Sequence, residues 1–396
     1  MVICRIEITS YPFFSWQRKQ LGGSLCSVVK EMVQIGLNTM KKTLLAVTIP
    51  AVMMASTVQA ATIYQAEDGS HVDVYGRLGF NITDRDNDGD ESHVDGNFDG
   101  RIGLGGSQTV NDKVSVIGWA EYQVNAAEYA NNLNSDSKDL TARYVWAGID
   151  ASEYGKITGG RVASGLIMLT DIADVFAASD VTIARQVSAI DSTATQVFRQ
   201  DGTLQYQNTF GALDVSAAYI LGNGTSDLKT AYNGALRYTL DLGNAGKLAP
   251  VVAYQYDETD NKNNDAKDYT FWGVGTRYYI ERLMLGAMYS EGELGFFDGR
   301  EKSKDKVYEL TAVYDLNDSW ALRAGYRSLE NEGGDETEYK DTTLEAQYKL
   351  TDRSSIFTSY VFRDGKKGNG SIPSIDWNGW NNPEEDYFHV GLRYEF

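Results

Sequence analysis

Alternation at a period of two, kept up along most of the chain, sets the limits on what this sequence can become. Val72, Val74, Leu78, Phe80 and Ile82 interleave with Asp73, Tyr75, Arg77, Gly79 and Asn81. In an extended strand those two sets face opposite sides. The pattern returns in Leu213–Tyr219, Ala249–Tyr256, Arg282–Tyr289 and Trp320–Tyr326. It closes the chain, where Phe388, Val390, Leu392, Tyr394 and Phe396 alternate with His389, Arg393 and Glu395. After residue 60 no run approaches the roughly 20 apolar residues that a spanning helix needs, which excludes a helical membrane protein. Five prolines against 39 glycines and 25 tyrosines suit a sheet, because proline removes a ladder donor and aromatic rings favour strands.

A soluble sandwich alternates too, so the breaks between strands carry the decision. Sixteen candidate strands start near Val72, Asn97, Lys113, Leu140, Gly155, Phe198, Ala212, Ala231, Ala249, Asp268, Arg282, Lys306, Ser319, Tyr339, Ser354 and Asp386. Short turns at Gln108–Asp112, Thr209–Gly211, Leu316–Asp318 and Thr351–Arg353 alternate with long polar stretches. These lie at Thr83–Gly96, Asn125–Lys138, Asp257–Lys267, Gly292–Asp305, Leu329–Glu338 and Asp364–Glu385. Short turns on one side and long loops on the other mark an outer-membrane barrel, and about 21 residues per strand and connection suffice for a tilted crossing of about 10. The expectation is an all-β fold, a sixteen-stranded antiparallel transmembrane β-barrel. One connection is out of scale: Ala163–Val197 shows no clear alternation, and long loops of this kind are usually functional. Folded inward, it would narrow a lumen this wide.

The N-terminus decides what counts as the folded chain. Met40-Lys41-Lys42 is a positive start, Thr43–Ser56 is mostly apolar, and Val58-Gln59-Ala60 has the small-x-small form of a cleavage site. Residues 40–60 therefore read as a signal peptide and Ala61–Phe396 as the mature barrel. Residues 1–39 read as an extension from a start assigned too early. Both cysteines, Cys4 and Cys26, precede the cut, so the mature chain forms no disulfide. Arg5, Arg18, Lys19, Lys30, Lys41 and Lys42 leave with only Glu7 and Glu31, which makes the remainder more acidic than the whole chain's −19. Such a balance argues against nucleic acid, which needs clustered Lys and Arg, and favours attraction of cations.

Particular residues resemble a family. Val72-Asp-Val-Tyr-Gly-Arg77, Arg101-Ile-Gly-Leu-Gly and Thr141-Ala-Arg143-Tyr-Val-Trp-Ala-Gly148 look like the first, second and fourth strands of the general-diffusion porins of Gram-negative outer membranes. Gly159-Gly-Arg161 sits where that family enters its long third loop, and Arg199 with Leu204-Gln-Tyr206 and Gly211 where the chain leaves it. Gly391-Leu-Arg-Tyr-Glu-Phe396 is similar to its closing pattern, and the resemblance covers essentially all of Ala61–Phe396. It implies a homotrimer in outer-membrane lipid and lipopolysaccharide, passing ions and small hydrophilic solutes, with no cofactor and no enzyme activity. It also implies a pore constriction with a basic side at Arg77, Arg101, Arg143 and Arg199, a wall carboxylate at Glu121 and facing acids on the third loop, for which the residues of that loop favour Asp171 and Asp174.

Parity agrees with the basic side. Arg77 is out of phase with Val72–Ile82, and Arg143 with Tyr144 and Trp146, so both arginines should point inward. On the lipid side each would cost about 2–4 kcal/mol near the midplane. Two guanidinium groups about 5 Å apart repel by roughly 3 kcal/mol at an effective dielectric near 20, so carboxylates must offset them. The loop offers Asp171, Asp174 and Asp180. Opposed charges across a constriction create a transverse field that penalises large apolar solutes. The loop departs from the family here: the usual Pro-Glu-Phe-Gly-Gly reads Asp174-Val-Phe176-Ala-Ala178.

Three other readings compete. A barrel hydrolase needs histidine beside a nucleophile; only His71, His93 and His389 are present, and none has one at readable distance. An oligosaccharide-specific pore would use a lumenal aromatic slide, with Trp377 and Trp380 as a sugar-stacking lip. Finally, Asp84-Arg-Asp86-Asn-Asp88-Gly89, with Asp95 at the twelfth position, resembles a calcium loop, although its flanks are strands.

Overall fold

Strand pairing closes on itself, and that follows from the alternation: a sheet apolar on its outer face can have no open edge in lipid. The structure is a computed structural model and describes residues 60–85, 93–124, 140–177, 184, 186–194, 196–261, 265–369 and 384–396. In chain order the strands are β1 (Ala61–Gln65), β2 (His71–Arg85), β3 (His93–Asn111), β4 (Val114–Val124), β5 (Leu140–Asp150), β6 (Lys156–Arg161), β7 (Thr203–Phe210), β8 (Leu213–Leu221) and β9 (Leu228–Tyr238). There follow β10 (Leu240–Asp241), β11 (Lys247–Thr259), β12 (Ala266–Ile280), β13 (Leu283–Phe296), β14 (Ser303–Asp315), β15 (Trp320–Glu332), β16 (Glu338–Thr351), β17 (Ser354–Arg363) and β18 (Tyr387–Glu395). Consecutive strands other than β9 and β10 pair antiparallel, β9 and β10 each pair with β11, and β18 pairs with β2. Sixteen strands thus form the closed barrel, as the alternation and the turns imply.

The outer face carries the apolar set. Leu78, Phe80, Ile82, Val252, Tyr254, Leu310, Leu344 and Leu392 are exposed on it, and Thr83, Gln255, Asp257, Thr343, Glu345 and His389 on the other face are buried. Several hairpins run further than the apolar pattern. β13–β14 and β14–β15 continue into stretches expected as loop, through opposed pairs such as Glu293↔Lys304 and Glu291↔Lys306. Their charged residues pair across strands, Lys306 to Glu332 at 2.6 Å and Lys304 to Glu293 at 3.4 Å, and such pairs stabilise a ladder that has no apolar face to announce it.

Two features position the site. The first is the seam. β1 and β18 share one edge of β2: Ala61 pairs with Val74 and Glu395 with Arg77. Phe396 exchanges backbone hydrogen bonds with Gly76, N–H to carbonyl at 2.9 Å one way and 3.0 Å the other. Its ring lies over Gly76 on the outer face, where any side chain would collide with it.

The second is the segment from Val162 to Gly202 between β6 and β7. It holds a short helix, α1 (Ile167–Thr170), and a 3-10 turn (Gln186–Ala189). The described residues of this segment lie on the inner face of the late strands and share an apolar core with them, made of Leu166, Leu169, Ile172, Val187 and Ile190 against Val251, Phe271, Met288 and Leu294. Strand glycines form the sockets. Leu169 sits on Gly273, a Cβ on Gly275 would come within 2.6 Å of Ile172, and one on Gly325 within 2.6 Å of the Phe176 ring. Burying one such aliphatic side chain is worth about 1.5–3 kcal/mol. Polar ties complete the docking: Thr311 donates to the Ile172 carbonyl at 3.0 Å, the Ala177 N–H donates to the Glu345 carboxylate at 3.0 Å, and Arg393 donates to the Ala177 carbonyl at 2.8 Å.

A candidate functional site on the inner wall

Arg77 and Arg101 stand directly opposite each other on β2 and β3, on the inward parity of both strands. Two like charges in register are unfavourable by themselves. Asp99, also inward on β3, lies 2.6 Å from the Arg77 guanidinium and 3.9 Å from that of Arg101. On the next two strands Arg143 Nε donates to Glu121 at 2.8 Å, and Glu121 is only 2 % exposed. Arg199 is buried where the long segment returns toward β7; it donates to the Tyr144 hydroxyl at 3.0 Å and stacks over that ring at 4.7 Å. The strand expected from Phe198 begins instead at Thr203, so Arg199 belongs to the returning segment rather than to the wall.

The geometry at β5 corrects one reading. Parity counted from Arg143 places Tyr144 and Trp146 outward, but the register slips between Glu121↔Tyr144 and Tyr122↔Ala142, so Arg143 is the extra residue of a bulge. A bulge lets two successive side chains share a face. Arg143 reaches Glu121 on the inner wall, Tyr144 meets Arg199 of the segment inside the barrel, and Val145, Ala147 and Ile149 take the exposed outer face. Trp146 is therefore inward, directly opposite Trp119 on β4. Trp119 lies flat on β3, on the space left by Gly103 and Gly105: a Cβ at Gly103 would come within 2.6 Å of the indole.

Of the two loop acids, Asp171 is placed among the late strands. Arg237 reaches it at 3.0 Å and Arg277 at 3.9 Å, and Arg237 also binds Asp214 at 3.1 Å. Burial raises the pKa of the Asp171 carboxyl against the pull of Arg277 and Arg237. Asp174, one helical turn on, is exposed. Asp180 lies outside the described residues.

Sequence reasoning missed Asp99, Arg393, the inward tryptophans and the Arg237–Asp171–Arg277 tie. Asp99 was open to inference, since it shares parity with Arg101 two residues on. The glycines of Trp272-Gly-Val-Gly275 were a signal too, because a glycine inside a strand marks close approach by something else. The bulge leaves no signature in residue type.

The competing features also have places. His71 lies 3.4 Å from Asp73 near the barrel rim. His389 is buried against Thr83 at 2.8 Å, with Phe357 stacked on its ring at 5.8 Å. Asp84 lies in β2, and Asp95, in β3, pairs with Thr83 there; Asp86, Asp88 and Gly89 lie outside the described residues, as do Trp377 and Trp380. No group of three or more His, Cys, Asp or Glu suited to a metal occurs among the described residues.

Comparison with known proteins fits this geometry. A family model described as Gram-negative porin matches residues 45–368. Outer membrane protein U of Vibrio parahaemolyticus is 27 % identical over 380 residues, covering 90 % of this chain and all of that protein. Outer membrane porin PhoE of Escherichia coli is 28 % identical over 380 residues, with the same coverage. Among solved structures, Salmonella typhi OmpF in complex with daunomycin matches with a TM-score of 0.65 at 16 % identity, over 85 % of this chain and all of that one. An anion-selective porin from Comamonas acidovorans matches with a TM-score of 0.66 at 17 % identity, over 83 % of this chain and all of that one.

Proposed function

The chain belongs to the Gram-negative porin family of the outer membrane, and from that premise we propose that it is a passive, water-filled diffusion pore for ions and small hydrophilic solutes, with a mild cation preference, and not an enzyme. The observation that carries this reading is a division of labour inside the barrel. Arg77, Arg101 and Arg143 line the inner wall of β2–β5, and the long segment is docked on the inner face of the late strands with Asp174 exposed. Charges of opposite sign on the two sides make a polar, hydrated eyelet. Glu121 balances Arg143 on the basic side, Asp174 is the loop acid that solutes meet, and Asp171 contributes by holding the loop in place. The acidic balance of the chain favours cations overall, and the arginine row moderates it.

The working form begins at Ala61, once residues 40–60 are removed as a leader, with residues 1–39 outside it. The seam supports this: Ala61 follows Phe396 along the same edge of β2, so a free end belongs there. It assembles as a homotrimer through β2–β6. The exposed large apolar residues of that face are mostly aliphatic (Leu78, Ile102, Leu104, Val116, Val145, Ile149), with Gly118 and Ala120 between them. Interfacial rings such as Tyr254, Trp272, Tyr308, Tyr326 and Tyr348 stand on the late strands, where aromatic girdles mark contact with lipid. Above that girdle, Lys304, Lys306 and Lys340 alternate with glutamates and suit lipopolysaccharide headgroups.

Planar-bilayer recording of protein starting at Ala61 tests the proposal. Linked current steps in threes, with a reversal potential favouring cations under a salt gradient, are expected. Absence of current would overturn the pore reading, and unlinked single steps would overturn the trimer.

A further inference from the structure

Strand β6 ends at Arg161, and the long segment leaves the wall at the next residue. The last rung between β5 and β6 is Val145↔Arg161. Among the described residues, no strand continues the ladder beside Arg143 and Tyr144 on that edge, and these are the bulge residues. A side chain takes the place of the missing strand: Arg161 Nε donates to the Arg143 carbonyl at 3.2 Å. Nη1 of the same guanidinium donates to the Thr193 carbonyl and to the Asp201 carboxylate, each at 2.8 Å. Both acceptors belong to the limb by which the segment returns. They are joined to each other, since the Asp201 N–H donates to the Thr193 hydroxyl at 3.2 Å, and that hydroxyl donates to the buried Asp191 at 2.7 Å. From the same limb Arg199 reaches the Tyr144 hydroxyl and stacks on its ring. The two ends of the segment thus rest on two consecutive bulge residues, Arg161 on the backbone of one and Arg199 on the side chain of the other.

We infer that Arg161 is a specificity-determining positioning residue, which acts on permeating ions through Arg143 rather than by its own charge. This role rests on the pore reading and ties the direction of Arg143 to the seating of the long segment. A bulge residue has no rung of its own to fix its backbone, and its side chain points where that backbone directs it. The planar fork of Arg161 holds the Arg143 carbonyl in place while its charge is met by Asp201. Its side chain is 12 % exposed, so it faces the lumen far less than a free wall charge would. Lysine keeps the charge but is a point donor on a flexible stem, and it cannot serve three acceptors in one plane. With the carbonyl released, the Arg143 guanidinium spends less time in the lumen, and the wall loses part of its positive charge.

The test is the reversal potential under a salt gradient, read on protein that keeps its trimer on an unheated gel. Arg161→Lys, at unchanged formal charge, should raise the cation-to-anion permeability ratio about 1.3-fold, against about 1.5-fold for Arg143→Gln. Arg161→Gln with Asp201→Asn removes the pair at constant net charge and should repeat the effect of Arg161→Lys. The effects should not add: Arg143→Gln with Arg161→Lys should match Arg143→Gln alone, because no guanidinium is left to position. A ratio left unchanged by both charge-conserving variants would overturn the role. So would an increment from Arg161→Lys that persists in the Arg143→Gln background, since Arg161 would then act independently. Neither result touches the pore reading, which fails only if the unmodified protein carries no current.

Discussion

Strands β2–β6 and strands β11–β16 repeat one alternation, yet their small residues admit different things. Inside the early half, Gly103 and Gly105 make room for Trp119, a side chain of the wall itself, and the wall's charges remain at the lumen. Inside the late half, Gly273, Gly275 and Gly325 make room for Leu169, Ile172 and Phe176 of the long segment, so that half wears a second layer. Outside, the order reverses. The late half keeps its rings exposed for lipid, and the early half presents short aliphatic chains around Gly118 that another protein surface can approach closely. A glycine in a barrel strand is thus a socket, and the fold is understood once each socket's occupant is known.

The largest effect should follow from filling the late sockets. Gly275→Leu with Gly286→Leu sets new side chains where Ile172 lies, and such overpacking costs about 1–3 kcal/mol per site. The segment should leave the wall while the barrel persists. Single-channel conductance should then rise about twofold, as expected when a lumen loses its constriction. Conductance equal to that of the unmodified protein would remove the distinction between the halves.

Next comes the outer face. Gly118→Arg should abolish the trimer, because it places an unpaired charge in a close-packed contact. Val274→Arg, on the exposed late face, should cost about 2–4 kcal/mol of barrel stability and leave the trimer assembled. Mobility of unheated samples on a denaturing gel separates the two. Dissociation by Val274→Arg but not by Gly118→Arg would reverse the assignment of faces.

The two loop acids sharpen the contrast further. Asp171→Asn leaves Arg277 and part of Arg237 without their counter-charge and should weaken docking by about 3 kcal/mol, seen as protease cleavage within residues 162–202. Asp174→Asn should stay within about 0.5 kcal/mol in the same assay and move the reversal potential toward anions. Like behaviour of the two variants would mean that the loop is not held by Asp171.

The smallest effect lies in the arginine row. Arg101→Ala with Arg143→Ala should raise the cation-to-anion permeability ratio about twofold, since it removes positive charge from the lumen wall. An unchanged ratio would show that the row does not set selectivity.

Most of the architecture was legible in the residues. Most strand starts, the short turns and the closing strand follow from alternation and its interruptions, because a closed sheet in lipid must segregate apolar from polar side chains at every second position; the start expected at Phe198 is the exception, since the strand begins at Thr203. Strand ends were less legible. The Glu291–Lys306 and Glu293–Lys304 rungs are polar on their outer face and signal loop by composition, although they pair as strand. The inward direction of Arg77 and Arg101 was also decided locally, since it depends on parity alone.

What the sequence could not determine is whatever depends on register between strands or on the path of a segment without alternation. The β5 bulge turns Tyr144 and Trp146 inward with no mark in residue type, because a bulge is a mismatch between two strands and belongs to neither. Asp171 and Asp174 are the same residue type three positions apart. Only the packing of α1 and the residues after it on β9–β14 gives one to Arg237 and leaves the other exposed, because a short helical segment seated in glycine sockets has one face toward the wall and one away from it.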